Sequence, residues 1–275
     1  MILENIFSGT LYDKFLINPA GMRLHHAYIG GLLQHSVDAT GLAVALAEQI
    51  EGVDKDLVIA GALLHDIGKI MIPEEILNKP GRLTEEEYAT IKTHTTEGAR
   101  ILKGLAIGQD EPLVKVAHAI CRWHHERWDG GGYPDRLKGD EIPIAAQVVA
   151  LADVYDALTS ERCYKQSYSH EKAVDMILHG ECGSFNPLLM ECLKESSELL
   201  RTELQRSEYD RGFRHETRRL SEEILHREAL PREDRAQRLL DLGIAHFSIP
   251  SSSAAMASGG GNCPARSCGS VLVIW

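Results

Sequence analysis

Five imidazoles and two carboxylates recur along this chain at an almost even interval. His35 precedes His65 by 30 residues, His65 precedes His94 by 29, His94 precedes His124 by 30, and His125 precedes Asp153 by 28. Asp66 follows His65 directly. Each step is about one helix plus one connection, so five helices can aim a single polar cluster into a shared interior. A lone His on an apolar helix is usually a hydrogen-bonded core residue. The set argues otherwise, because Leu63-Leu64-His65-Asp66-Ile67-Gly68-Lys69 puts a His–Asp pair at the end of an apolar helix, where burial without a cation is costly. Seven donors exceed the needs of one tetrahedral zinc and fit two metals, with Asp66 as the natural bridging ligand. Mixed nitrogen and oxygen ligation without thiolate suits iron or manganese, and is compatible with zinc or nickel. Two divalent ions about 3.5–4 Å apart would hold a hydroxide between them and clamp a phosphodiester for in-line attack.

Helix signals dominate the elements that must position these residues, and strand alternation is nearly absent. Helical apolar spacing runs from about His26 to Ile50 through Ile29, Leu32, Leu33, Val37, Leu42 and Leu46. A second apolar run, Leu57 to Asp66, is followed by Gly68 where a C-terminal cap would stand. Thr84 and Glu87 form a capping box that opens a third helix to about Leu102, and a fourth runs from about Glu111 to Arg127. The stretch from Asp129 through Gly132-Tyr133-Pro134 is a loop. Pro143 suits N1 of a fifth helix ending near Leu158, Ser169 caps a sixth, and Asn186-Pro187 opens a seventh. The expected fold is all-α, a helical bundle around a buried metal cluster.

The chain has 275 residues and a formal charge of −11, with eight of its 13 His in the first 125 residues. A net acidic chain without a basic block argues against coating DNA or an anionic membrane. No stretch approaches the roughly 18 apolar residues of a membrane span, and the start lacks a basic signal-peptide region. The six Cys show neither zinc nor disulfide spacing, which points to reduced thiols and a cytoplasmic setting. Four segments are expected: a lead over 1–20, the helical domain over 21–196, a charged connector over 197–247, and a low-complexity tail over 248–275. Between Arg201 and Arg238 ten basic and nine acidic residues nearly cancel, as in a solvated or coiled-coil-like helix broken near Pro231.

The motifs carry a resemblance. His65-Asp66 followed by Gly68-Lys69 resembles the signature of the HD phosphohydrolase superfamily. His124-His125-Glu126-Arg127-Trp128-Asp129-Gly130-Gly131-Gly132-Tyr133-Pro134 resembles the HD-GYP subfamily almost letter for letter. So do Ala152-Asp153-Val154-Tyr155-Asp156-Ala157-Leu158-Thr159-Ser160 and Arg162-Cys163-Tyr164-Lys165, and the likeness is strongest from about Ala60 to Leu193. The resemblance implies a phosphodiesterase that linearises cyclic di-GMP to pGpG and sometimes GMP. It implies His35, His65, Asp66, His94, His124, His125 and Asp153 as metal ligands, and places Lys69 beside the scissile phosphate or its attacking hydroxide. Asp66 and Lys69 are thus the expected catalytic pair. Arg162 and Lys165 resemble a substrate-phosphate clamp, for which a planar fork and a point charge are suited. Gly132, Tyr133 and Pro134 would wall the cleft and, by resemblance, contact diguanylate cyclase (GGDEF) partners. Asp156, one turn beyond Asp153, is placed either to hydrogen-bond a ligand His from behind or to face solvent.

Three departures refine these expectations. Gly31 stands where some relatives carry a Glu for a third metal, which favours a binuclear site. Cys163 stands where Pro is usual, and Asn186 where Asp is usual. The segment from His25 to His35 resembles a different HD branch, the 3′-to-5′ exoribonucleases, in which His26 would be an extra ligand, a substrate contact or a buried structural residue. Alternative functions are therefore hydrolysis of another cyclic dinucleotide such as cyclic GMP-AMP, action on RNA 3′ ends, or a weakly active signalling module. A homodimer through the connector is a further expectation.

Overall fold

Local capping chemistry sets most element boundaries in the computed structural model. It describes residues 14–15, 18, 20, 31–79, 81–105, 108–160 and 167–207. The helices are α1 (Gly31–Ala47), α2 (Lys55–Leu64), α3 (Glu74–Leu77), α4 (Glu85–Lys92), α5 (His94–Lys103), α6 (Pro112–Trp123), α7 (Ile144–Thr159), α8 (His170–Leu178) and α9 (Pro187–Glu195). Short 3₁₀ turns cover Ile67–Met71 and Gly139–Glu141, residues 197–207 are helical, and the described residues contain no strand. The all-α expectation holds. No described helix is long and apolar enough to cross a membrane.

The expected caps form. Thr84 accepts from the Glu87 backbone N–H while Glu87 accepts from the Thr84 N–H, closing the capping box of α4. Ser169 accepts from Lys172 N–H, and Asn186 accepts from Leu188 N–H with Pro187 at the first helical position. Asn186 also donates through Nδ2 to Gln147 Oε1 at 3.0 Å, a bond a carboxylate could not make. Pro143 is the residue just before α7 rather than its first helical residue.

Other expectations need correction. The third helix does not run unbroken to Leu102: it ends at Lys92, and α5 restarts at His94. The fourth stops at Trp123, short of Arg127. In the first, Val37 is 44% exposed, and the inward face is Leu32, His35, Ala39, Leu42 and Leu46. Residues 26–30 of that expected helix, and with them His26, lie outside the described residues.

Around α7 every residue from 146 to 159 is buried, which is why its sequence is apolar on all sides. Helices α1, α6 and α8 pack on it, and α2 packs between α1 and α6. A core of Leu46, Ala62, Ile120, Leu151, Tyr155 and Ile177 fills the space between them. The first turns of the connector also dock on the bundle, since Leu200 is buried and Ser207 Oγ donates to Asp38 Oδ1 of α1 at 2.7 Å.

Gly68 is not a helix cap. It lies in the 3₁₀ turn, where an added Cβ would stand 1.9 Å from the His94 carbonyl oxygen and 2.5 Å from the Gly98 nitrogen. Glycine lets the turn after α2 press directly on the start of α5, bringing His65-Asp66 to His94. Gly68→Ala is therefore expected to cost at least about 3 kcal/mol, since the obstruction is backbone and cannot move aside. The midpoint of urea unfolding checks this; a shift equivalent to under about 1 kcal/mol would contradict the packing.

Candidate metal centre

Three of the histidines sit where a helix ends. His65 follows α2, His124 follows α6, and His94 follows the break after α4. The last turn of a helix leaves carbonyls without intrahelical partners. The imidazoles bond to carbonyls of these last turns, beside the capping N–H groups: His65 Nδ1 bonds Ala62 O at 2.7 Å, His94 Nδ1 bonds Ile91 O at 2.7 Å, and His124 Nδ1 bonds Ile120 O at 2.9 Å. A carbonyl can only accept, so each Nδ1 carries the proton and each Nε2 turns a lone pair inward.

His35 lies in the second turn of α1, within the helix rather than at its end. Its Nδ1 pairs instead with Asp156 Oδ2 of α7 at 2.8 Å. Asp156, 2% exposed, thus holds a cluster histidine from behind rather than facing solvent. His35 Nε2 points at Asp153 Oδ1 (3.1 Å), Asp66 Oδ2 (3.4 Å) and His65 Nε2 (3.1 Å).

Asp66 stands between two groups of ligands. Its Oδ2 faces His35 and His65 at 3.4 and 3.5 Å, and its Oδ1 faces His94 and His124 at 3.3 and 3.8 Å. Two triads, His35–His65–Asp153 and His94–His124–His125, each gather their donor atoms within 4.8 Å. Lys69 Nζ, nearly buried, lies 2.5 Å from Asp66 Oδ2. The seven sequence-predicted donors and Lys69 are therefore in one place. His125 is half-buried at the rim, its ring stacked on Tyr133 with centroids 4.8 Å apart.

Electrostatics mark this cluster as incomplete without cations. Asp66 Oδ1 is buried and has no hydrogen-bond donor. The Nε2 atoms of His94 and His124 face each other at 3.3 Å, two lone pairs with no proton to share. Burial, reinforced by neighbouring imidazoles, pushes His94 and His124 down to about 4 and lowers His65 and His125. Burial works against a charged His35 too, but bonds to Asp153, Asp156 and Asp66 raise it well above its ordinary value. Burial opposes an ionised Asp66, yet Lys69 and the surrounding imidazoles hold it well below the usual carboxylate range. Four neutral imidazoles beside ionised carboxylates are in the protonation states that divalent cations require of their ligands, and His35 would give up its extra proton to an ion. The donor set fits such ions.

The loop beyond His125 is held by a residue the sequence reading passed over. Glu126, 6% exposed, accepts from the backbone N–H of Asp135 at 2.7 Å and of Leu137 at 3.0 Å. Nothing in its spacing separates it from a surface Glu. Arg122 and Trp123 both donate to Asp135, closing the loop onto α6. Gly132 packs against the 125–127 backbone, where a Cβ would meet Arg127 N at 2.4 Å, so it supports the wall rather than presenting a side chain. Tyr133 and Pro134 are half-buried on the same loop. Arg162 and Lys165, the expected phosphate clamp, and Cys163 lie outside the described residues.

Comparison with known proteins agrees with this geometry. A probable cyclic di-GMP phosphodiesterase of Vibrio cholerae serotype O1 is 43% identical over 164 residues, 58% of this chain and 37% of that protein. A cyclic di-GMP phosphodiesterase of the same organism is 44% identical over 140 residues, 50% of this chain and 28% of that protein. Its 3′3′-cGAMP-specific phosphodiesterase 2 is 40% identical over 142 residues, 52% of this chain and 26% of that protein. The matched stretch thus spans roughly a third of the length of these relatives. Residues 31–184, which hold every donor of the cluster, match the HD-domain family model, a family that binds divalent metal ions. With that match and those relatives, the chain belongs to the HD-domain family and is of its HD-GYP type.

Proposed function

We propose that this chain is a metal-dependent phosphodiesterase that opens cyclic di-GMP to pGpG, with GMP as the further product. The observation that carries the reading is the position of Asp66, whose two carboxylate oxygens face two separate triads of ligand atoms. His35, His65 and Asp153 on one side, and His94, His124 and His125 on the other, are the ligands we assign, with Asp66 bridging. Iron or manganese suits this donor set best, since it contains nitrogen and oxygen but no thiolate. When bound, the two ions supply Lewis-acid activation of water and of the phosphoryl oxygens.

The chain's own residues do the rest. Backbone carbonyls at three helix ends fix the imidazole tautomers, and Asp156 does the same for His35. Lys69 keeps Asp66 ionised and sets a fixed positive charge in a dry site, where negative charge develops on the phosphoryl oxygens. Tyr133 and Pro134 wall the cleft, Gly132 supports them, and Arg162 with Lys165 take the phosphate that is not cleaved. Cys121 and Cys192, buried and outside any disulfide, accord with the cytoplasmic setting we propose. The same reading keeps a GGDEF-domain partner for the Tyr133 loop and a homodimer through the connector.

Asp156→Ala is expected to weaken metal binding about 10–100-fold without unfolding the bundle, because His35 loses the partner that orients it. Competition against a chelator measures this, and unchanged affinity would contradict the role. One relative named for 3′3′-cGAMP favours that dinucleotide as a second substrate. Chromatography of products from cyclic di-GMP, 3′3′-cGAMP and a short RNA, with iron-, manganese- and zinc-loaded protein, tests the whole reading. The expected result is pGpG from cyclic di-GMP; turnover of RNA alone would replace it with the exonuclease alternative.

A further inference from the structure

Beside the metal centre lies an unassigned group of one cation and two aromatic rings. Tyr88 and Lys92 are four residues apart on α4 and so share a face. Lys92 Nζ lies 4.9 Å from the centroid of the Tyr88 ring and 5.7 Å from that of Tyr133. Tyr133 in turn stacks on His125, whose ring is 5.0 Å from that of His94. Lys92 is itself half-buried beside these rings. Its neighbour Lys79 is neutralised by Glu87 at 2.6 Å, whereas no carboxylate among the described residues lies in ion-pair reach of Lys92. In a chain of net charge −11, an ammonium held by ring faces instead of a carboxylate keeps its donors for a ligand.

Resting on the phosphodiesterase reading above, we propose that Tyr88, Lys92 and Tyr133 form a base-binding subsite that selects guanine over adenine. Tyr88 supplies a ring face for stacking, which every base accepts, while Tyr133, already stacked on His125, bounds the site. The ammonium supplies the discrimination. Guanine presents two acceptors on one edge, O6 and N7, whereas adenine presents N7 beside an amino donor. Lys92 donates to both guanine atoms and meets a like donor on adenine. Tyr133, stacked on His125, links this site to the metal ligands.

The test reads base preference directly, as the inhibition of bis(p-nitrophenyl) phosphate hydrolysis by GMP and by AMP in manganese-loaded full-length protein. GMP is expected to inhibit about tenfold more tightly than AMP. Lys92→Ala should bring that ratio close to one and raise the KM for cyclic di-GMP more than it lowers kcat, and Lys92→Arg should restore much of the ratio. Tyr88→Leu should weaken GMP and AMP together, leaving the ratio intact. Equal inhibition by the two nucleotides in the wild-type protein, or an unchanged ratio in Lys92→Ala, would overturn the subsite while the phosphodiesterase reading stands. Failure of the wild-type protein to hydrolyse either the small diester or cyclic di-GMP with any metal would remove that reading and the subsite with it.

Discussion

Asp66→Ala is expected to abolish pGpG formation, with a fall in turnover of at least about 10³-fold, or roughly 4 kcal/mol of barrier. Its two carboxylate oxygens face the two triads, so its loss removes the carboxylate shared between them. The alanine variant has a second defect, because Lys69 loses the carboxylate 2.5 Å away and stays buried. An uncompensated buried charge costs about 3–5 kcal/mol, so part of the loss could come from unfolding. Asp66→Asn separates the two effects. It keeps the shape and offers an amide that can donate to the facing imidazole lone pairs, yet it lacks the negative charge that holds divalent ions. The Asn variant should retain wild-type helical circular dichroism, carry little metal by mass spectrometry and turn over no faster than the Ala variant. Wild-type turnover in either would remove Asp66 from the mechanism.

Acid is the second strong lever. His94 and His124 have folded values of about 4 against an ordinary 6.5. As pH falls, the unfolded chain takes up these protons first, so stability is complete above about 6.5 and declines toward 4. By pH 5 each of the two has forfeited about 2 kcal/mol, at 1.36 kcal/mol per pH unit. His65 and His125 shift the same way. His35 is raised, so its contribution is present below 6.5 and lost only as pH rises through its folded value; one group opposes four. Asp66 and Asp153, lowered from 3.8, lose their contributions only below that pH, outside this window. Metal-depleted protein should therefore unfold at a urea concentration about 2 M lower at pH 5 than at pH 7.5, and metal-loaded protein should release its ions over the same range. Urea midpoints and metal retention after gel filtration at each pH check both. A midpoint that stays constant or rises toward pH 5 would show that the imidazoles are not buried and neutral.

The donors were legible in the sequence because function constrains residue type and spacing together. His35, His65, Asp66, His94, His124, His125 and Asp153 needed only a rough helix length to be seen as one cluster. The caps at Thr84, Ser169 and Asn186 were legible because their side chains act within three residues. What escaped depends on distant partners. No Gly or Pro marks the break at Thr93, just after which the His94 ring bonds the Ile91 carbonyl. Gly68 resembled a cap because the α5 backbone pressed against it is 26 residues or more away. Glu126 resembled any surface carboxylate until the loop at 135–137 folded back over it. Asp156 was evenly balanced between two roles, and its pairing with His35, 121 residues away, decides between them.

The central claim is that two cations held around Asp66 make this chain a phosphodiesterase. Titrating metal-depleted protein with Mn²⁺ while following pGpG formation from cyclic di-GMP tests it most directly. No turnover is expected without metal, then a rise that saturates near two equivalents, with Asp66→Asn inactive throughout. Full turnover in the metal-depleted protein, or saturation with no product at any metal loading, would contradict it.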